Sequence, residues 1–534
     1  MNRDAGEPSL SEASVYSSPV TSGRRSDDPE ASGRILFAIA LAAGALLRLV
    51  LLGQPDLFGA DEGRWAIGAR NILAGGSDQF LGLSATPMGP ASGTPILFPW
   101  VLSAMVRVFG PEEWAVRLPS AILGLIGALV LERVIRRGWG QPAGHLVGAF
   151  AALFPPLVAA SRAATVEPTL VALGLAGIIF GIRAFEEDIP FEGAVSGVFF
   201  GLGFLTKGYA VGLYLIPLLL ALLARPRLFG LGRTKRALAF LSVAFVAVGF
   251  SHLFAVFLFR REAFSFALAT SFGASEAASR AAALPTAFGA DVGTLVRSLF
   301  FFLPLVALGV VYLGRTVRDA EIASGATGGE RRLAHGVLWG ASVVELVILV
   351  AVAGKYRLSS IPMLPALAAF TGLGGTWLMF AARERTSPHP GRIVKGLLFV
   401  LLVWGGIEAA RQIRHDLLTH RTGARELADQ IAPTLASLAP GTPAFRSDEP
   451  EGLEFRLFRT GLSWDGVSAA GIADEAGGRS GAPPGGRIRC WAYRENAGMP
   501  PAEVRAWLTA NAKEITSDVN ARAGRTTGLR AFVP

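Results

Sequence analysis

Apolar runs alternate with short polar or Gly/Pro-containing breaks from residue 35 to residue 407. Eleven runs approach membrane-spanning length, at 35–52, 118–134, 145–160, 169–182, 194–206, 211–223, 238–258, 296–313, 337–353, 361–380 and 396–407. A bilayer core takes roughly 20 apolar residues in a helix, so this pattern predicts an α-helical polytopic membrane protein. A twelfth run, 95–109, is short and contains Arg107. If it spanned, the basic loop at 133–137 would fall outside and every later loop would invert. If it lies against the surface as an amphipathic or re-entrant helix, the basic loops 133–137, 225–236, 315–332 and 383–395 join Arg24, Arg25 and Arg34 on the cytoplasmic side. The second threading obeys the positive-inside rule and predicts eleven spans with the amino terminus inside.

This threading divides the chain into three parts. Residues 1–34 read as a disordered cytoplasmic tail, rich in Ser, Pro, Asp and Arg and lacking an apolar core. The run at 35–52 has no convincing cleavage site after it and reads as a retained helix. Residues 35–411 form the membrane part, with a first outer loop at 53–117. Residues 412–534 carry helical patterning at 424–438 and 503–515 with short strand-like pieces between, predicting a small α/β domain outside the membrane.

Composition supports the membrane reading. The chain of 534 residues is 51% hydrophobic, and its mean hydropathy is +0.45. A net charge of +9 is accounted for by Lys and Arg in cytoplasmic loops, with no appeal to nucleic acid. The single cysteine, Cys490, excludes an internal disulfide framework and any Cys-rich metal site. The Ala-, Gly- and Arg-rich composition suits a bacterial inner membrane.

The threading places several charged groups on one outer face. Asp61 and Glu62 follow the first span, and Trp65, Ala69, Ile72 and Leu73 continue at helical spacing until Gly75-Gly76. The pair reads either as caps of a surface helix or as acid–base groups. Lys207 stands in Phe204-Leu205-Thr206-Lys207-Gly208-Tyr209, a tight outer hairpin between apolar helices. It either snorkels to the interface or holds an anion near the lipid headgroups. Arg162 and Glu167 bracket another outer turn, where Glu167 before Pro168 also suits a helix start. Lys355 lies on the same face, and Glu345 falls within a span with no assigned role.

The stretch from Asp61 to Lys207 resembles the GT-C superfamily of membrane glycosyltransferases, family 39 and its relatives, which include protein O-mannosyltransferases and the lipid A aminoarabinose transferases. Four motifs in order carry the resemblance: Asp61-Glu62-Gly63-Arg64-Trp65, Glu113-Trp114-Ala115-Val116-Arg117-Leu118-Pro119-Ser120, Phe204-Leu205-Thr206-Lys207-Gly208, and Lys355 followed by Ile361-Pro362 and Pro365. Three features depart from the family pattern. Gly93-Thr94-Pro95-Ile96 stands where the family has Lys-Pro-Pro-Leu, Glu167 stands in place of an aspartate, and the loop at 264–291 lacks a histidine many relatives carry.

The resemblance implies a polyprenyl-phosphate-linked sugar donor, an envelope acceptor (lipid A or lipopolysaccharide, another glycan, or a protein) and transfer with inversion on the outer face. It implies Asp61 as base with Glu62 as its helper, Lys207, Arg162 and Lys355 around the donor phosphate, and Glu167 and Arg64 in support. No metal-ligand set is legible, and the cofactor is left unknown, a divalent cation included. The alternative is a non-catalytic scaffold or a lipid-linked-sugar flippase in envelope assembly.

Overall fold

The computed structural model describes residues 29–54, 57, 59–75, 85–86, 89–90, 96–223, 231–261, 264, 300–322, 338–339, 364–383, 389–419, 423–439, 442–448, 450–459, 461–462, 464, 466–477, 488–494, 500–523 and 529–533. The readings made for residues 1–28, the Gly93-Thr94 departure, Glu345 and most of the loop at 264–291 lie outside them.

Helix α1 (Pro29–Leu49) leads to α2 (Gly59–Ala74), a two-stranded hairpin of β1 (Ala85–Thr86) and β2 (Gly89–Pro90), and α3 (Leu97–Phe109). The bundle continues through α4 (Glu113–Trp139), α5 (Gln141–Leu153), α6 (Pro155–Arg162), α7 (Glu167–Glu186), α8 (Pro190–Lys207) and α9 (Gly212–Leu223). Its later helices are α10 (Leu231–Gly249), α11 (Ser251–Phe259), α12 (Leu303–Ile322), α13 (Leu364–Arg383) and α14 (His389–Thr419).

Among the described residues five helices are long and apolar enough to cross a membrane, or up to seven if two bent pairs each count as one span. The bent pairs are α5 with α6, at 52°, and Lys235–Gly249 of α10 with α11, at 42°. The first bend falls at Pro155-Pro156, where two consecutive residues lack the amide that would continue the helix. The runs at 194–206, 211–223 and 296–313 correspond to α8, α9 and α12. The run at 337–353 falls almost entirely outside the described residues. Helix α3 is 13 residues long, roughly 20 Å and short of a bilayer core. It buries Phe98, Leu102 and Val106 in a cluster with Ala66 and Ala69 of α2.

Glycines set the closest approaches in the bundle. Gly193, Gly197 and Gly201 recur every fourth residue on α8. A methyl group on them would come within 2.7 Å of the Ala237 carbonyl, 2.2 Å of the Leu241 carbonyl and 2.8 Å of Val248, all on α10. Such stripes of small residues let two apolar helices pack backbone to backbone, where solvent exclusion gives little help.

Charges gather at the two ends of this bundle. Helix α4, 27 residues long and so roughly 40 Å, runs from one end to the other. At its carboxy-terminal end Arg137 bonds Glu186 and Glu187, each at 2.6 Å, and Arg236 pairs with Asp188 at 3.3 Å. The Arg137 hydrogen bond holds the Glu187 carboxyl below its ordinary range. At its amino-terminal end lie α2, the turn at 163–166 and Lys207.

The carboxy-terminal segment forms a five-stranded mixed sheet in the order β4-β3-β5-β7-β6, where β3 is Phe445–Ser447, β4 Gly461–Leu462, β5 Cys490–Arg494, β6 Lys513–Glu514 and β7 Leu529–Val533. Strands β4 and β5 flank β3 in parallel, whereas β7 runs antiparallel to both β5 and β6. The period-two alternation of strand side chains fills both faces. Cys490 and Ala492 pack with α15 (Ala424–Leu435) and α19 (Thr516–Ala523), while Trp491 and Tyr493 pack with α17 (Ala469–Gly477) and α18 (Ala502–Asn511). Helix α16 (Pro450–Leu457) lies against α2.

Candidate active site

The amino-terminal end of the bundle is assembled by α4. Within the apolar sequence of this helix, Glu113, Arg117 and Ser120 stand at i, i+4 and i+7, the spacing that stacks side chains on one face. Each of the three holds a different piece of chain. Arg117 grips Glu62 with two parallel bonds, Nε to Oε1 at 2.7 Å and Nη2 to Oε2 at 2.8 Å. Ser120 donates to the Thr165 carbonyl at 2.9 Å. Glu113 accepts from Arg456 and Arg425, both of the carboxy-terminal segment.

Helix α2 begins at Gly59, two residues before Asp61, and ends before Gly75, whose φ of +90° suits glycine. Glu62 in its first turn is 2% exposed. Besides Arg117 it accepts from the Ala164 amide at 2.7 Å, so both of its oxygens are held. Two charges so buried are tolerable only because the pair is bidentate and a third donor is present. In this geometry Glu62 ties α2 to α4 and to the turn after α6. Asp61 is the preceding residue of the same turn. The side chains of Asp61 and Arg64, and the whole of Lys355, lie outside the described residues.

Three residues beyond Ala164, Glu167 opens α7, with Pro168 suited to the first turn. It is buried and accepts from Lys207 Nζ at 2.7 Å. Lys207 is the last residue of α8, where a cation complements the helix dipole, and its side chain keeps 19% exposure. One turn of backbone therefore touches both halves of the site: Ala164 holds Glu62, and Glu167 holds Lys207. Three residues extend no more than roughly 11 Å.

Arg162 is placed against the end of α1. Its Nη1 donates to the carbonyls of Leu47, Arg48 and Val50 at 2.7, 3.2 and 2.8 Å, and its Nη2 reaches the Leu51 carbonyl at 3.3 Å. Leu47 and Arg48 are in the last turn of α1, whose carbonyls lack intrahelical partners, and Val50 and Leu51 are in the turn that follows. Arg162 thus caps the end of α1. Arg117 continues the series on the Leu52 carbonyl and Arg425 on the Gly53 carbonyl, each at 3.0 Å.

The reading of the sequence missed Arg117, Glu113 and Arg425 as parts of the site's frame. The signal was present in the polar i, i+4, i+7 face of an otherwise apolar helix. Among the described residues no group of three or more His, Cys, Asp or Glu side chains could hold a metal ion.

Comparison with known proteins gives this arrangement a setting. Residues 93–255 match the family model described as dolichyl-phosphate-mannose-protein mannosyltransferase. This stretch holds Glu113, Arg117, Arg162, Glu167 and Lys207 and leaves Asp61 outside. An undecaprenyl phosphate-alpha-4-amino-4-deoxy-L-arabinose arabinosyl transferase of Pseudomonas aeruginosa is 30% identical over 199 residues, 36% of this chain and 35% of that protein. The chain thus aligns with about a third of the length of such curated relatives. The crystal structure of ArnT from Cupriavidus metallidurans in the apo state superposes with a TM-score of 0.59 at 18% identity, covering 94% of this chain and 98% of that one. The same protein bound to undecaprenyl phosphate gives 0.58 at 19% identity, with the same coverage. In fold, and along the stretch that matches by sequence, this chain resembles the GT-C superfamily of membrane glycosyltransferases.

Proposed function

We propose that the chain is an integral membrane glycosyltransferase that moves a sugar from a polyprenyl-phosphate-linked donor to an envelope acceptor, with inversion. The observation that carries this reading is the turn at 163–167, which ties the start of α2 and Lys207 to one small region at one end of the bundle. Undecaprenyl phosphate, held by the ArnT structure of matching fold, is the lipid phosphate that such a cation suits.

In the proposed step an acceptor hydroxyl attacks the anomeric carbon as the bond from that carbon to the phosphate oxygen breaks. The bonding electron pair leaves on the phosphate, and the hydroxyl proton passes to the Asp61 carboxylate. The products are the glycosylated acceptor and free polyprenyl phosphate. Lys207 offsets the charge growing on the leaving phosphate, and Glu167 keeps its ammonium oriented toward that position. Lys355 is the second candidate cation and Arg64 a supporting group. Glu62 and Arg162 hold the frame. A single displacement places base and leaving group on opposite faces of the sugar, as in inverting glycosidases.

The proposed orientation puts the amino terminus in the cytoplasm and the site with residues 412–534 on the extracytoplasmic face of a bacterial inner membrane, across eleven spans. The distribution of Lys and Arg supports it.

The test compares envelope lipids and glycans, by mass spectrometry, from a strain lacking this protein and the same strain complemented with wild type or Asp61→Asn. A sugar-bearing species should vanish on deletion and return only with wild type. With the form of that species lacking the sugar as acceptor, the purified variant should turn over about 10²- to 10⁴-fold more slowly. Undiminished turnover by a folded Asp61→Asn protein would overturn the base assignment, and a wild-type protein without turnover would favour the scaffold or flippase reading.

A further inference from the structure

Both flanks of Asp61 are gripped from outside the membrane bundle. On the near side, the chain leaves α1 through Leu51, whose φ of +54° lies in the left-handed region. A leucine there is strained and persists only where its surroundings hold it. Those surroundings are the arginine bonds to consecutive carbonyls, and the last of them, on Gly53, comes from Arg425 of α15. Arg425 Nη2 also donates to Glu113 Oε2, and Arg456 of α16 bonds both Glu113 oxygens at 3.2 and 3.1 Å.

On the far side, Arg70 of α2 donates from Nη1 to the Glu454 carbonyl at 2.9 Å and from Nη2 to Glu454 Oε1 at 2.8 Å. Glu454 is 2% exposed. The next residue, Phe455, is fully buried in the cluster formed by Ala66 and Ala69 of α2 with Phe98 and Leu102 of α3. These contacts land on the turn before α2, on α2 itself and on the first residue of α4, the elements that bracket the acid pair.

We propose that the carboxy-terminal segment completes the active site as a clasp, with Arg425, Glu454 and Arg456 as positioning residues that fix α2 and the strained turn before it. The role rests on the transferase reading above. Its physical basis is that α2 is a short helix whose Arg70 pairs with buried Glu454 and whose Glu62 pairs with buried Arg117. When Glu454 releases Arg70, a buried charge loses its partner and the helix must shift to hydrate it. A displacement near 1 Å at the base is enough to cost about 10²-fold in rate, whereas Lys207 stands on α8 and is untouched. The clasp therefore governs turnover and leaves donor binding alone.

The experiment uses the full-length protein in lipid nanodiscs with the acceptor found in the envelope comparison above and two donor probes, polyprenyl-phosphate-linked 4-amino-4-deoxy-L-arabinose and mannose, and reads turnover together with amide hydrogen exchange along α2. Glu454→Arg and Arg70→Glu should each lower kcat by about 10²-fold, leave the donor KM unchanged and speed exchange in α2 while α7 and α8 stay protected. The double variant, with the charges exchanged, should recover both readouts. Arg425→Lys, a milder change that keeps the charge and loses the planar fork, should lower kcat in part. Wild-type exchange in α2 of the single variants, or a double variant that recovers neither readout, would overturn the clasp. If the wild-type protein turns over neither donor, these two sugars are excluded as its substrates, and the exchange measurement still decides the clasp.

Discussion

At the scale of single residues, charges here divide into those that hold and those free to act. Glu62 and Arg117 are both nearly fully buried, at 2% and 1% exposure. Removing one partner of such a pair leaves an uncompensated buried charge, so Glu62→Gln should destabilise the protein by about 3–5 kcal/mol, readable by thermal unfolding in detergent. The Lys207–Glu167 pair differs because its lysine keeps some solvent access. Lys207→Met should lose both turnover and stability, since it strands Glu167. Adding Glu167→Gln should restore the melting temperature but not turnover, and restored turnover would remove the phosphate role from Lys207. Asp61 and Glu62 were legible as an acid pair from their residue types. That Glu62 serves as a tie could not be read locally, because its partner lies 55 positions away.

At the scale of elements, the positions of the helices follow from glycine and proline. Pro156 lacks the amide that would bond the Ala152 carbonyl four residues back, and Arg48 Nη1 fills that vacancy at 2.6 Å. Gly44 makes room for it, since a methyl group there would meet the same carbonyl at 2.5 Å. Between α12 and α13 the approach is closer still. A methyl on Gly374 would lie 2.0 Å from the Leu305 carbonyl, and one on Gly309 2.0 Å from that of Phe370. Gly374→Ala should therefore cost about 1–3 kcal/mol. Gly396→Ala on α14 meets nothing within 4 Å and should be neutral or stabilising by up to about 1 kcal/mol. Unfolding of the two variants side by side checks the contrast. The sequence reads 145–160 as one apolar run, which the structure bends by 52° at Pro155-Pro156, and the guanidinium that caps the bend comes from another helix.

At the scale of the whole molecule, the sheet of the carboxy-terminal segment shields its one thiol. Burial pushes Cys490 up to about 12, so it stays a neutral thiol near pH 8 and should resist maleimide until the protein unfolds. The unfolded thiol titrates near the ordinary thiol value of 9.0. Stability from this group is therefore full below pH 9 and declines as pH climbs toward 12, because the unfolded chain loses its proton first. Inert Cys490 also leaves a clean background for topology: a cysteine at exposed Glu503 should be labelled by an impermeant reagent from outside the cell, and labelling only after lysis would reverse the proposed orientation. The sequence by itself determined the apolar helical character, the helix at Asp61, its end at Gly75 and the family resemblance, because periodicity, backbone-restricting residues and motif order are written in neighbouring positions. Only the tertiary structure decided that Arg162 caps α1, that Glu62 is a tie and that α15 and α16 reach back to grip α2. Those roles depend on which buried charge meets which across hundreds of residues, and pairing at that range is fixed by packing.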